Sequence, residues 1–186
     1  MLRSMILVFI AACDVGSVLP AEGAQPDAGG GAGGADAAVE TAPLKITFTT
    51  SPSAGGVYAP AHVLAVWIQD QGGAIVKTID RRADVRRQHL VAWSQLAGLA
   101  DVDAITGATR IGHDTPLTIG WDLKDRQGAI VPDGTYTIRM EVADVNATQP
   151  GENNQGTFTF VKGTDPQVQT GLTDGGFTNV SITFTP

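Results

Sequence analysis

From Leu44 onward, apolar and polar positions alternate with a period of two. In LKITFTT, Leu44, Ile46 and Phe48 alternate with Lys45, Thr47 and Thr49. Tyr136, Ile138, Met140 and Val142 alternate with Thr137, Arg139 and Glu141. Phe158 and Phe160 share one face of GTFTF, and Val180, Ile182 and Phe184 share one face of NVSITFTP. Such alternation marks strands with one side in a core and the other in water. HVLAVWIQD and AIVKTID flank QGG, a hairpin signal. HVLAVWI is apolar on both faces, as a central strand covered on both sides would be. PLTIGW directs Leu117, Ile119 and Trp121 one way. About seven strands with turn signals between them predict a mainly β fold, a two-sheet antiparallel sandwich.

One stretch breaks the period. RRADVRRQHLVAWSQLAGLA carries Leu90, Trp93, Leu96 and Ala97 at helical spacing, with Gly98 as a stop. It predicts one short inserted helix within about residues 86–98. A long irregular connection, DVDAITGATRIGHDT, follows, and such connections concentrate functional residues. Further on, WDLKDRQGAIVPDGTYTIRMEV places Asp125 and Gly128 in one turn and Pro132, Asp133 and Gly134 in another. This run resembles the Ig-like repeat of flagellar hook-capping proteins and related bacterial modules. The resemblance implies an Ig-like sandwich with Trp121 and Tyr136 in its core.

The amino terminus changes the picture of where the chain works. MLRSMILVFIAAC has a positive residue, Arg3, an apolar run from Met5 to Ala12, and small residues before Cys13. That is a signal-peptide layout. IAAC resembles the bacterial lipobox, which implies cleavage before Cys13 and acylation of Cys13, anchoring the chain to the cell envelope on its periplasmic side. Residues 1–12 are then the lipoprotein signal peptide. Residues 13–43 are the lipidated Cys13 and a linker rich in Ala, Gly, Pro and Asp, too poor in apolar surface to order itself. Its reach is roughly 30 Å, from about 5–6 Å times the square root of its length. Residues 44–186 form the sandwich domain.

Composition narrows the function classes. The formal net charge is −7, which argues against nucleic acid. The single Cys excludes an internal disulfide and any multi-cysteine metal site. His62, His89 and His113 are scattered and read as surface or loop residues; no G-x-S-x-G or H-E-x-x-H accompanies them. Asp101 and Asp103 alone make a poor Ca²⁺ site, so no metal is expected. Lys77, Arg81, Arg82, Arg86 and Arg87 form a basic cluster, which reads as a solvated face or as a dock for an acidic redox partner or lipid headgroups.

DAITGATR carries the sharper signal. Outside the cytosol a dissociable cofactor is lost, and a covalent bond prevents that. A secreted FAD:protein FMN transferase esterifies FMN onto a Thr hydroxyl in flavin-carrying subunits of membrane electron-transfer complexes. Its recognition sequence has the form D-x-x-[ST]-G-A-T. Asp103, Thr106, Gly107, Ala108 and Thr109 resemble it at all five specified positions. A chain of this length matches by chance with a probability on the order of one in a thousand. The resemblance implies that Thr109 accepts FMN. Gly107 and Ala108 leave room for the transferase, Arg110 pairs with the phosphodiester, and Asp103 orients the acceptor. Trp93 or Tyr58 is placed to stack on the ring. A plain structural turn, with Thr hydroxyls bonding the backbone, is the alternative for the same run.

A wider resemblance spans Leu44 to Pro186. YAPAHVLAVWI (Tyr58 to Ile68), VDAITGATR, WDLKDRQGAIVPDGTY and the terminal SITFTP are similar to the predicted periplasmic family known as domain of unknown function twenty-two seventy-one. Its members occur beside membrane reductase-like proteins and the transferase, which implies a membrane reductase-like redox partner. Two functions therefore stand: an electron carrier with covalent FMN on Thr109, and a cofactor-free Ig-like binding or structural lipoprotein module.

Overall fold

The computed structural model describes residues 39–53, 55–58, 60–104 and 109–186. They form two antiparallel sheets. The strands are β1 (Leu44–Thr50), β2 (Ala61–Gln69), β3 (Ile75–Arg82), β4 (Arg110–Ile111), β5 (Leu117–Trp121), β6 (Gly134–Ala143), β7 (Asn154–Lys162), β8 (Gln167–Asp174) and β9 (Phe177–Phe184). One sheet has the order β5-β1-β9-β8. The other has the order β3-β2-β6-β7, with β4 paired to the start of β2. This is the two-sheet sandwich that the period-two pattern predicts.

The core is built from the apolar face of each strand. Leu44, Ile46, Phe48, Val180, Ile182 and Phe184 of one sheet meet Leu64, Val66, Ile68, Ile138, Met140 and Phe160 of the other. Trp121 is only 2% exposed and stands edge-on to Tyr136, with ring centroids 5.7 Å apart. Its indole N–H donates to the Lys124 carbonyl at 2.8 Å, and the Tyr136 hydroxyl donates to the Pro132 carbonyl at 2.8 Å. Both rings therefore bury apolar area without stranding a polar group. The turn at Asp125 closes as expected: Gly128 N donates to the Asp125 carbonyl, and Gln127 N and Ala129 N donate to its carboxylate.

A second, smaller core lies on the opposite side of β2. Val63, Ala65 and Trp67 pack there against Leu90, Ala92 and Trp93. This is why HVLAVWI is apolar on both faces. The covering segment is shorter than the sequence suggests. A 3₁₀ turn, Arg87–His89, is followed by helix α1, Val91–Ala97, with a break at Leu90. Gly98 ends α1 at φ 81°, a conformation that suits glycine. Leu96, placed on the buried face by helical spacing, is instead 47% exposed. The break at Leu90 rotates the buried stripe onto Val91, Ala92 and Trp93.

Glu141 explains how α1 is held. The alternation puts it on the solvent face of β6, yet it is 0% exposed because α1 covers that face. Its carboxylate accepts from Ala92 N at 3.0 Å, Trp93 N at 2.8 Å and Asn153 Nδ2 at 2.7 Å. The first-turn N–H groups of α1 have no intrahelical partners, so a strand residue caps the helix. Burial pushes the Glu141 carboxyl above the usual range, and hydrogen bonds from Asn153 and from the backbone of Trp93, Ala92 and Val91 hold it partly back.

β4 and β8 bring the strands to nine among the described residues, against about seven expected. β4 is two residues long. β8 is a sheet edge whose residues are half-buried or exposed, so it has no apolar period to read. Ahead of β1, residues 39–41 make a helical turn, and Ala42 packs over Gly120, where a Cβ would come within 2.5 Å of the Ala42 Cβ. The expected signal peptide, Cys13 and most of the expected linker lie outside the described residues.

Candidate functional site

The connection from α1 to β4 carries the motif, and polar contacts fasten both of its ends. At the start, Arg126 donates to the Asp101 carboxylate and to Asp103 Oδ2, the latter at 2.8 Å. The Asp101 side chain is 2% exposed and that of Asp103 16%. Asp101 also accepts from the Thr78 hydroxyl at 3.2 Å, and Asp103 from Thr78 N at 3.3 Å. The pair thus grips one arginine and the edge of β3. Among the described residues no cluster of three or more His, Cys, Asp or Glu has the geometry to hold a metal ion.

Thr106, Gly107 and Ala108 lie outside the described residues. Thr109 is exposed, immediately before β4. Arg110 begins β4 opposite His62 and donates to the Thr115 carbonyl at 2.6 Å. It makes no ion pair among the described residues. Burial lowers its pKa, the neighbouring Arg82 charge lowers it further, and Asp80 opposes both. The structure thus places Asp103, Thr109 and Arg110 on one connection. Asp103 is committed to Arg126, and the exposed Thr109 immediately precedes Arg110, which has no carboxylate in contact among the described residues.

A groove of about 490 Å³ opens between the edges of β3 and β5. Its lining includes Lys77, Ile79, Asp80, Arg82, Asp103 and Thr118. Asp80 is 4% exposed and accepts from Arg82 Nε at 3.1 Å. Burial raises the Asp80 pKa, and Arg82 counters it. Arg81, one residue away, faces the other side. It donates to the Asp101 carbonyl at 3.0 Å and lies over the Trp93 ring. Lys77 pairs with Asp122, Arg87 with Asp84, and Arg86 lies over Tyr58. The basic cluster is therefore not one solvated face; its members are dealt to both sides of β3 and to the turn beyond it, each with its own partner. Neither proposed ring-stacking aromatic lines the groove. Trp93 is 0% exposed, with its indole N–H donating to Thr78 Oγ1 at 3.0 Å, and Tyr58 lies under Arg86.

The other end of the connection meets two histidines. His62, read as a surface or loop residue, is in a strand and 0% exposed. It stacks on His113, with ring centroids 4.1 Å apart and planes inclined by 20°. His113 Nδ1 is 2.9 Å from the Thr50 hydroxyl, and its carbonyl accepts from Thr50 N at 2.9 Å, tying the chain after β4 to β1. Asp144, 1% exposed, accepts from Ser53 N at 2.8 Å and lies 3.9 Å from His113 Nε2. Both ring nitrogens of His62 are buried without a hydrogen-bond partner among the described residues. Burial, then the charges of His113 and Arg110, push His62 down to about 4. His113 is also lowered, first by burial, with Asp144 pulling the other way. Lone histidines separated by tens of residues gave no sign of this stack.

No helix among the described residues is long and apolar enough to cross a membrane. Comparison with curated proteins and with solved structures gave no match. A protein family described as predicted periplasmic protein (DUF2271) matches residues 43–158, which span β1 to β6 and most of β7.

Proposed function

The chain belongs to this family of predicted periplasmic proteins, and from that membership we propose an extracytoplasmic electron carrier, lipid-anchored at Cys13, with FMN esterified to Thr109. One observation carries the reading: the exposed residue Thr109 closes D-x-x-[ST]-G-A-T and precedes Arg110, a guanidinium with no carboxylate in contact among the described residues. Thr109 Oγ1 attacks the flavin-side phosphorus of FAD in a secreted FMN transferase. The new Oγ1–P bond replaces the P–O bond of the pyrophosphate, AMP leaves, and the hydroxyl proton passes to a base. Arg110 offers the phosphodiester monoanion a charge-assisted partner. Asp103 and Asp101, gripped by Arg126, fix the chain at the start of the motif. The flavin supplies one- and two-electron carriage, and the protein supplies attachment and position. A membrane reductase-like protein is the proposed electron-transfer partner.

The engagement of Asp103 by Arg126 supports a second reading, because it gives a motif residue a structural role that needs no cofactor. The chain is then a binding or structural lipoprotein module. Intact mass separates the two. Co-expression with the transferase is expected to add about 440 Da, FMN less water, retained after denaturation. Thr109→Ala abolishes the gain, and Thr106→Ala reduces it only in part. Unmodified wild-type protein beside an active transferase leaves the binding module. Incorporation of labelled fatty acid that Cys13→Ala removes tests the anchor; a wild-type protein that takes up no label refutes it.

A further inference from the structure

Three charged residues share the inner side of the sandwich edge. In the β2–β3 pairing Arg82 lies opposite Leu64 and Asp80 opposite Val66, and in the β2–β4 pairing Arg110 lies opposite His62. Leu64 and Val66 face the core between the sheets. Residues directly opposite in an antiparallel pair share a face. Asp80, Arg82 and Arg110 therefore form a row on that face, where β3 ends and β4 takes over. Asp80 balances one guanidinium and leaves the other, so the row keeps a net positive charge beside Thr109.

The row borders the groove between β3 and β5, lined in part by Asp80 and Arg82. At about 490 Å³ the groove falls within the roughly 300–1,000 Å³ of small-molecule sites. Its lining mixes Ile79 and Ile119 with Thr118, whose hydroxyl lies 2.9 Å from that of Thr47, and with Ala42 and Pro43 ahead of β1. The carboxylates that line it are each paired: Asp80 with Arg82, Asp103 with Arg126, Asp122 with Lys77. None of them is left to repel a phosphate.

We propose that this groove seats the isoalloxazine ring of a flavin carried on Thr109, with Arg82 and Arg110 flanking its phosphodiester. The inference rests on the Thr109 reading and adds the seat and a second cation, Arg82. An open groove suffices for a tethered ligand. A short flexible link gives an effective concentration on the order of millimolar, so modest intrinsic affinity fills the site. Ring and phosphate are joined by the ribityl chain, which lets the phosphate stay at Thr109 while the ring reaches over Arg82 into the groove.

The test uses the full chain co-expressed with the transferase. Intact mass scores attachment, and fluorescence anisotropy of the native adduct scores seating. The wild-type adduct is expected to show an anisotropy set by tumbling of the whole domain, and emission that rises several-fold on unfolding in urea. Arg82→Gln, with its fold checked by circular dichroism, lowers the anisotropy of the adduct. Thr118→Trp fills the groove and lowers it as well, whereas Thr159→Trp, on the exposed side of β7, leaves it unchanged. An adduct whose anisotropy is low in the wild type, or unmoved by both Arg82→Gln and Thr118→Trp, overturns the seat and leaves the Thr109 assignment standing. A wild-type protein without the mass gain overturns the assignment and the seat together.

Discussion

Acidification below about pH 6.5 is expected to destabilise the domain through His62. The ring is 0% exposed, and neither nitrogen has a hydrogen-bond partner among the described residues. Its pKa falls from 6.5 to about 4, first through burial, then through the charges of His113 and Arg110. The folded state therefore refuses a proton that the unfolded chain accepts. At this ring the unfolded state binds more protons between pH 6.5 and about 4, so the His62 contribution to stability falls as pH falls through this window and is level above it. At about 1.4 kcal/mol per unit the full loss is roughly 3 kcal/mol. For a domain of this size that lowers the melting temperature by roughly 10 °C. The assay is a series of urea and thermal melts from pH 7.5 down to 4.5 on the wild type and His62→Phe. Phenylalanine keeps a flat ring against His113 and removes the titration. The variant is expected to lose most of the slope, with a residue from His113, whose pKa is also lowered. Asp80 and Glu141, whose carboxyls burial raises, oppose this slope, so the test is the difference between the two proteins: a difference that stays constant from pH 7 to 4.5 refutes the reasoning, since His62 then takes its proton without cost. An equal slope in His62→Phe refutes the assignment to this residue.

Two further outcomes follow from the polar contacts around the connection. Glu141→Ala removes the cap of α1 and leaves Ala92 N and Trp93 N buried without a partner, an expected loss of about 3 kcal/mol in urea melts; a loss below about 1 kcal/mol would show that α1 does not depend on the strand carboxylate. Arg126→Ala leaves Asp101 and Asp103 without their cation, expected to cost about 1–2 kcal/mol after solvent screening and to speed proteolysis between residues 98 and 113; cleavage at the wild-type rate would show that the carboxylate pair does not hold the connection.

The strands were readable because their signal is local. Leu44, Ile46 and Phe48 need only a neighbour two residues away to announce a face, and their burial follows. Trp121 and Tyr136 were readable because turn chemistry brackets them within one short run. Polar residues behaved otherwise. Arg81 and Arg82 are adjacent in sequence, yet one lies on Trp93 and the other pairs with a buried Asp80 on the opposite face. Glu141 occupies a polar position of a period-two strand, and only the arrival of α1 over that face makes it a buried cap. His62 opens an apolar strand, and its partner His113 lies beyond the whole helix and connection.

The same division runs through the site. D-x-x-[ST]-G-A-T is a contiguous pattern, so a single chain displays it. What fixes the pattern in space is not contiguous. Thr78 comes from β3, Arg126 from the turn after β5, and Thr50 from β1, and each grips the connection from a different direction. The groove beside it is assembled from the edges of β3 and β5, which belong to different sheets, and from residues ahead of β1. Asp103 belongs to both descriptions: it opens the motif and closes the ion pair with Arg126. A substitution at Asp103 therefore perturbs recognition and loop position at once and separates nothing. Arg126 can be changed without altering the motif's own residues and Thr109 without altering the Arg126 contacts, and the two together divide the contribution of the fold from that of the modification.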